Sequence, residues 1–559
     1  MEEKFNNTTH FKPIIPEHNE WPVVKLSKQR QEFIERVSKE SISSIKRIKN
    51  TEASLIEELE RTRYKEKLRI QKAPWSVDPD DDYDFWKDVK KQLLAISSQP
   101  GGATKTADEI LKTITDRYAN EIAGNFKHSS YRFARSIATF GFARLLNAAH
   151  TGRFSGLFRA QRTLRDKIRI RGNLDHLREL AKNGTIVMVP THFSNLDSVL
   201  IGWVIHELGL PPFIYGAGLN LFNIRVFAYF MNSLGAYKVD RRKKNLVYLE
   251  TLKMYSNLAI QDGCHSLFFP GGTRSRSGSI EKELKRGLLG TAIQAQLANF
   301  KNNNDSKIFV VPVVLNYNFV LEAPSLIDQF LKQKGQERYY TENDEYSTSY
   351  KIVKFLFKFF TKQSDISVTI GRSMDLFGNY VDDEGHSIGK NDKYISTRDY
   401  FMRNGKFVDD HQRDEEYTIN LSRRIVEEFH KNNEVLPSHL IAFVGFRLLR
   451  KKFPDLDLFN FLRLPEDELL LDYGEFSREV EKLKNIIFEE EAAGNILTSP
   501  GLHKSTDDLI KQGLKNLGIF HAHLPLIRNE VGDIETQSLN LLYYYHNRLI
   551  GYNFEEHVG

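Results

Sequence analysis

The run Thr185-Ile-Val-Met-Val-Pro190 is apolar and β-branched, and a few residues later Leu196, Val199, Leu200, Trp203 and Val204 fall on one face of a helix. A buried strand feeding straight into a helix is the repeating unit of an α/β sheet. The same change of period recurs downstream. Strand candidates cover 185–190, 212–216, 236–239, 265–269, 308–316 and 366–371, and helix candidates cover 194–208, 223–233, 245–261 and 286–299. This alternation predicts an α/β sheet with helices on its faces.

His192 stands where the first strand ends and its helix begins, with Ser194 and Asn195 as N-cap candidates. The crevice beyond the carboxyl ends of the strands is where open α/β sheets bind their ligands. Asp197, five residues on, can hold one imidazole nitrogen while the other faces that crevice, ready to take a proton from a hydroxyl. The spacing alone is weak: His503 and Asp508 repeat it with no strand before them, and such a pair is commonly a cap or a surface contact.

The second cluster adds specificity. Residues 265–269 run into Pro270-Gly-Gly-Thr-Arg-Ser-Arg-Ser-Gly278, with Lys285 and Gly287 at the head of the next helix. Gly272 lets backbone approach a ligand, Thr273 and Ser275 offer hydroxyls and amides, and Arg274, Arg276 and Lys285 supply positive charge, which together suit a phosphate. The ending Gly-Lys-Ser/Thr of a nucleotide P-loop is absent. Between the two clusters, Gly235-Ala-Tyr-Lys-Val-Asp-Arg-Arg242 is a short strand ending in Arg241 and Arg242 beside Lys243 and Lys244, which reads equally as a solvated charge run. Val311-Pro312-Val313 lies in an apolar strand that leads to Tyr317 and Glu322.

The chain has 559 residues, 40% of them apolar and 27% charged, in the range of soluble globular proteins. No uninterrupted apolar stretch is long enough to span a bilayer, and the start Met1-Glu-Glu-Lys-Phe lacks the pattern of a signal peptide. The single cysteine, Cys264, excludes an internal disulfide and reads as a small core residue. Between Lys127 and Arg171 eleven Lys and Arg residues face one acid, Asp166, and are interleaved with Phe and Leu. That mixture suits the surface of an anionic membrane ahead of a solvated helix face or a nucleic-acid patch. Four regions are expected: a helical 1–103, ending near a Gly-Pro-Ser linker; a basic amphipathic helical 104–175; an α/β domain at 176–385; and a mainly helical 386–559.

The four blocks, taken in order, resemble the glycerolipid acyltransferase superfamily, and within it the long glycerol-3-phosphate acyltransferase branch. His192 and Asp197 match the His-x4-Asp box, 235–242 the second, 269–276 the third and 311–313 the fourth; Tyr317, Glu322, Lys285 and the segment 436–442 are further likenesses. The resemblance implies a central mixed sheet flanked by helices. It also implies transfer of a fatty acyl group from an acyl-carrier-protein or coenzyme A thioester to the sn-1 hydroxyl of glycerol-3-phosphate. His192 would be the general base and Asp197 its partner, with backbone amides after His192, helped by Ser194 or Asn195, meeting the oxyanion. Arg241, Arg242, Gly272, Thr273, Arg274, Ser275, Arg276 and Lys285 would hold phosphate, and Pro312 would support the site. No metal or other cofactor is implied, nor a nucleic acid, and the expected place is the cytoplasmic face of a membrane, bound peripherally. Two departures bear on the acceptor: the family usually has glutamate, assigned to the glycerol moiety, where this chain has Gly271, and Val-Asp-Arg-Arg is closer to some lysophosphatidate enzymes. Lysophosphatidate and dihydroxyacetone phosphate therefore stand as alternative acceptors. A non-catalytic membrane or RNA-binding protein stands as the alternative of another class.

Overall fold

The computed structural model describes residues 11–98, 106–136, 168–219, 235–334, 366–389, 391–465, 468–519 and 521–558. The helix candidate at 223–233 and most of the basic segment, 137–167, lie outside the described residues. The centre is a seven-stranded mixed sheet built from β1 (Ile168–Gly172), β2 (Gly184–Pro190), β3 (Ile214–Gly218), β4 (Ala236–Val239), β5 (Ser266–Leu267), β6 (Lys307–Tyr317) and β7 (Ile366–Ile370). Their order is β1-β7-β6-β2-β5-β3-β4. Strands β6, β2, β5, β3 and β4 run parallel, while β7 pairs antiparallel to β6, from Val313↔Ile370 to Tyr317↔Ile366, and carries β1 beside it.

β2 is buried over six of its seven residues and β6 over ten of eleven, the continuous apolar pattern of strands covered on both faces. Strand β1 departs from the helical reading of the segment that ends at Arg171. Its five residues, Ile-Arg-Ile-Arg-Gly, alternate as an edge strand does, and Arg169 and Arg171 find the buried Glu434. A two-residue alternation that short is masked by the helical pattern before it.

The N-terminal helices Arg30–Ile48, Glu52–Lys72, Asp82–Ser98 and Ala107–Ile122 form one apolar cluster with Ile214 of β3, Tyr237 of β4 and the helix Leu246–Gln261. The acidic turn at 78–83 is the polar counterpart of this packing. Asp78 and Asp82 pair with the buried Arg69, and Asp81 and Asp82 with Arg117. Asp78 also receives Arg242, whose guanidinium bonds Asp240 and the Ala73 carbonyl and lies 3.8 Å over the Trp75 ring. Arg242→Ala would leave Asp240 without its guanidinium and Asp78 with that of Arg69 alone, so the midpoint of thermal unfolding should fall, with a loss of about 1.5–3 kcal/mol. An unchanged midpoint would show that this bond network adds nothing to the joint.

The C-terminal helices are not a separate body. Pro437–Lys452 buries twelve of its sixteen residues, and its apolar ones join the same cluster as β2, β6 and β7, together with Tyr473–Ala492, Thr506–Asn516 and Leu539–His546. Helix His411–Lys431 packs on the opposite face of the sheet beside Arg286–Lys301. Cys264 is fully buried at the N-terminal interface, and burial pushes its thiol up, in keeping with a core role. No helix among the described residues is long and apolar enough to cross a membrane.

Candidate active site

Parallel strands β2, β5, β6 and β4 all end toward the same edge of the sheet; the first and third sequence blocks follow the ends of β2 and β5, the second runs through β4 to just beyond it, and the fourth lies within β6. After β2 the chain turns through 191–196 before the helix Asp197–Glu207 begins. Asp197 is therefore the first helical residue, and its fully buried carboxylate turns back over the loop. Its Oδ2 accepts from the amides of Phe193 (2.7 Å) and Ser194 (2.9 Å) and lies 2.8 Å from His192 Nδ1. Tyr317, at the end of β6, donates its hydroxyl to Asp197 Oδ1 at 2.5 Å. Burial, then the charge of Asp197, raises the Tyr317 phenol well above its usual range, so it remains a donor. A carboxylate against Nδ1 fixes the proton there and leaves Nε2 as the basic nitrogen. The ring itself stacks on Phe269 with centroids 4.1 Å apart. Tyr317→Phe removes one of the four donors to a buried carboxylate, and kcat should fall about tenfold without a change in fold; equal turnover would show that Asp197 needs no orienting bond from β6.

Ser194 and Asn195 do not cap the helix. Ser194 Oγ donates to Glu322 Oε2 at 3.0 Å and accepts the Leu196 amide, while the Asn195 amide donates to Glu322 Oε1 at 2.9 Å. The amides from Phe193 to Asp197 thus all have acceptors, that of Asn195 being Glu322 and that of Asp197 the Ser194 carbonyl. They do not form the oxyanion site expected of them, because the turn that presents His192 consumes them. Glu322 also pairs with Arg274 at 3.3 Å, so one buried acid from the end of β6 ties the β2 loop to the glycine-rich loop.

The glycine-rich loop folds onto the histidine from the β5 side. The Ser275 amide donates to the His192 carbonyl at 2.7 Å, and its hydroxyl donates to the Ser279 carbonyl, so Ser275 braces the loop with both its donors. Gly272 has φ +77°, and its turn is so tight that an added Cβ would meet Lys285 Cγ at 2.9 Å. The Lys285 amide closes the turn on the Pro270 carbonyl at 2.7 Å, leaving its side chain and Thr273 exposed at the rim. Gly271, Thr273, Arg274, Ser275, Arg276 and Glu281 are among the residues that line a cleft of 320 Å³.

His192, Asp197, Arg274, Arg276 and Lys285 are thus brought together. Arg241 is exposed beyond β4, three strands from β2, about 14 Å across the sheet at normal spacing. Arg242, at the same strand end, faces the N-terminal helices in the ion pairs described above. Pro312 lies within β6 opposite Val189, one residue before the stretch that pairs with β7. His503 and Asp508 make no pair: His503 bonds Thr498, and Asp508 accepts from Ser505. Asp382, Glu384 and His386 have metal-ligand spacing, but their turn takes Lys307 Nζ at the Gly385 carbonyl and so sits at the start of β6, opposite the histidine.

The tail supplies what the sequence did not announce. Arg548 is fully buried, donates to the Leu315 carbonyl and to Asn316 Oδ1, and lies 3.9 Å over the Phe193 ring. Burial pushes its guanidinium down to about 10, still charged at neutral pH. Asn547 bonds the Ser277 carbonyl, and a Cβ at Gly278 would collide with the Tyr544 carbonyl. Ser438 and His439 hold the end of β6. His439 accepts the Leu436 amide at Nδ1, which leaves Nε2 to donate to the Tyr317 carbonyl at 3.0 Å. Only the segment 436–442 carried a local signal. Arg548 had none, since one arginine among seventy-nine basic residues is indistinguishable by sequence.

A histidine-aspartate pair thus stands at the end of a parallel strand, with a cationic glycine-rich loop closed over it. Residues 168–316 match the Acyltransferase family model. Three relatives named glycerol-3-phosphate acyltransferase are similar over part of the chain. That of Alteromonas mediterranea is 27% identical over 252 residues, 45% of this chain and 27% of its own. That of Actinobacillus pleuropneumoniae is 27% identical over 264 residues, 46% and 28%, and that of Pseudomonas paraeruginosa 25% over 226 residues, 40% and 24%. The match spans about a quarter of each relative's length.

Proposed function

We propose that the protein transfers a fatty acyl group from an acyl thioester, carried on acyl-carrier protein or coenzyme A, to the sn-1 hydroxyl of glycerol-3-phosphate. The observation that carries this is the joining of His192 and Asp197 to the Arg274 loop through Glu322 and Ser275, within a domain of the acyltransferase family. The acceptor phosphate lies against Arg274, Arg276 and Lys285, with Thr273 at the turn, and Arg241, exposed at the rim, meets a donor phosphate. His192 Nε2 takes the hydroxyl proton as the oxygen bonds to the thioester carbonyl carbon. The C–S bond then breaks, and the imidazolium, stabilised by Asp197, returns the proton to the thiolate. The acceptor is itself the nucleophile, so no acyl-enzyme forms. Arg242 in this reading joins domains and does not touch phosphate.

The test is acyl transfer by purified protein offered glycerol-3-phosphate, dihydroxyacetone phosphate and lysophosphatidate in parallel, with each thioester in turn. Turnover on glycerol-3-phosphate is expected. Turnover on another acceptor alone would move the substrate, and none on any would remove the enzymatic reading. The acyl product is apolar and leaves into lipid, and the basic, Phe- and Leu-rich sequence ahead of β1, residues 127–167, suits peripheral docking there. Flotation with anionic liposomes should carry the protein at low salt and lose it at high salt; binding that ignores salt, or none, would count against docking by charge.

A further inference from the structure

The transfer proposed above leaves one acid of the crevice unused. Glu281 Oε1 accepts the His192 amide at 3.1 Å, and Oε2 is buried without a hydrogen-bond partner among the described residues. Buried carboxyl oxygens in native proteins are almost always paired, so one left unpaired beside His192 calls for a donor. The neighbouring cations are drawn elsewhere, Arg274 to Glu322 and Arg548 to Leu315 and Asn316. Gly271 makes the room: a Cβ there would fall 2.8 Å from Glu281 Oε1 and 2.9 Å from its Cγ. Glu281 also lines the same cleft as Arg274 and Arg276, so a ligand reaching from those cations to His192 passes its carboxyl.

We infer that Glu281 is an acceptor-binding residue: it takes a hydrogen bond from the second, non-reacting hydroxyl of a glycerol phosphate and selects a vicinal diol over a mono-hydroxy phosphate. This rests on the acyl-transfer reading above. Burial pushes the carboxyl up to about 7, against the pull of backbone amides and Arg548, so near neutral pH an ionised fraction is present to accept from a hydroxyl. Lysophosphatidate, whose one free hydroxyl is the reacting one, has none to spare for Glu281.

The experiment compares glycerol-3-phosphate with 3-hydroxypropyl phosphate, which lacks the second hydroxyl, in the full-length protein and in Glu281→Met, Glu281→Gln and Gly271→Ala. The wild type should prefer glycerol-3-phosphate in kcat/KM by about tenfold to a hundredfold, as expected for a bond to a charged group. In Glu281→Met that preference should collapse to within about twofold, through a larger fall on glycerol-3-phosphate than on 3-hydroxypropyl phosphate. Gly271→Ala, which displaces the carboxyl without deleting it, should narrow the preference too. Should Glu281→Met fail to fold, Glu281→Gln, which keeps an oxygen for the His192 amide, and Gly271→Ala carry the same comparison. An equal loss on both acceptors, with the preference intact, would mean that Glu281 only holds the histidine loop, and the inference is overturned. A wild type that turns over neither acceptor overturns the acyl-transfer reading and this inference with it.

Discussion

Alanine at position 192 is expected to lower kcat for acyl transfer by about 10²- to 10⁴-fold, the usual contribution of a positioned general base, while the protein stays folded. The geometry explains why the two effects separate. Asp197 keeps the amides of Phe193 and Ser194 and the Tyr317 hydroxyl when the imidazole is gone, so no buried charge is left unpaired. The imidazole stacks on the Phe269 ring, and the loop itself is held by the Ser275 amide on the His192 carbonyl and by the Glu281 carboxylate, which accepts the His192 amide. Steady-state turnover alongside thermal unfolding checks both halves. Near-normal turnover in a folded His192→Ala protein would refute the role of His192 as the base.

The largest loss of stability is expected at Arg548→Leu. The guanidinium is buried among the Leu315 carbonyl, Asn316 Oδ1 and the face of Phe193, with the charges of Asp197 and Glu281 close enough to favour its protonated form. Leucine fills part of the volume but offers no donor, so acceptors in a dry interior lose their partner and two acids lose a buried cation. Removing one member of such a set typically costs about 3–5 kcal/mol. Turnover should fall as well, since Phe193 follows the histidine directly and Asn316 precedes Tyr317. Thermal unfolding with activity on the surviving folded fraction distinguishes the two effects. An unchanged melting temperature would show that the tail does not buttress the site.

How far the sequence carried can be seen at particular residues. β2 was legible because both of its faces are covered, which forces an unbroken apolar run. His192 and Asp197 were legible as a pair because five residues suffice to bring them together around one turn. Arg274, Arg276 and Lys285 were legible as a cationic loop because the glycines needed for the turn stand beside them. β1 was not: its Ile-Arg alternation is only five residues long. Nor was the fate of Arg242, since the same arginine can bind a phosphate or an acid, and the choice depends on Asp78, 164 positions earlier in the chain.

By itself the sequence determined the period of each central element, the carboxyl-end placement of His192 and the cationic, glycine-rich character of the loop beside it, because these depend on neighbours within a turn or two. The tertiary structure alone decided that Glu322 joins the two loops, that Glu281 occupies the space opened by Gly271, and that Arg548 closes the floor beneath Phe193. Each of these is a contact between groups distant along the chain, set by which strands lie side by side and which face each helix buries, and such contacts leave no local period or spacing to read.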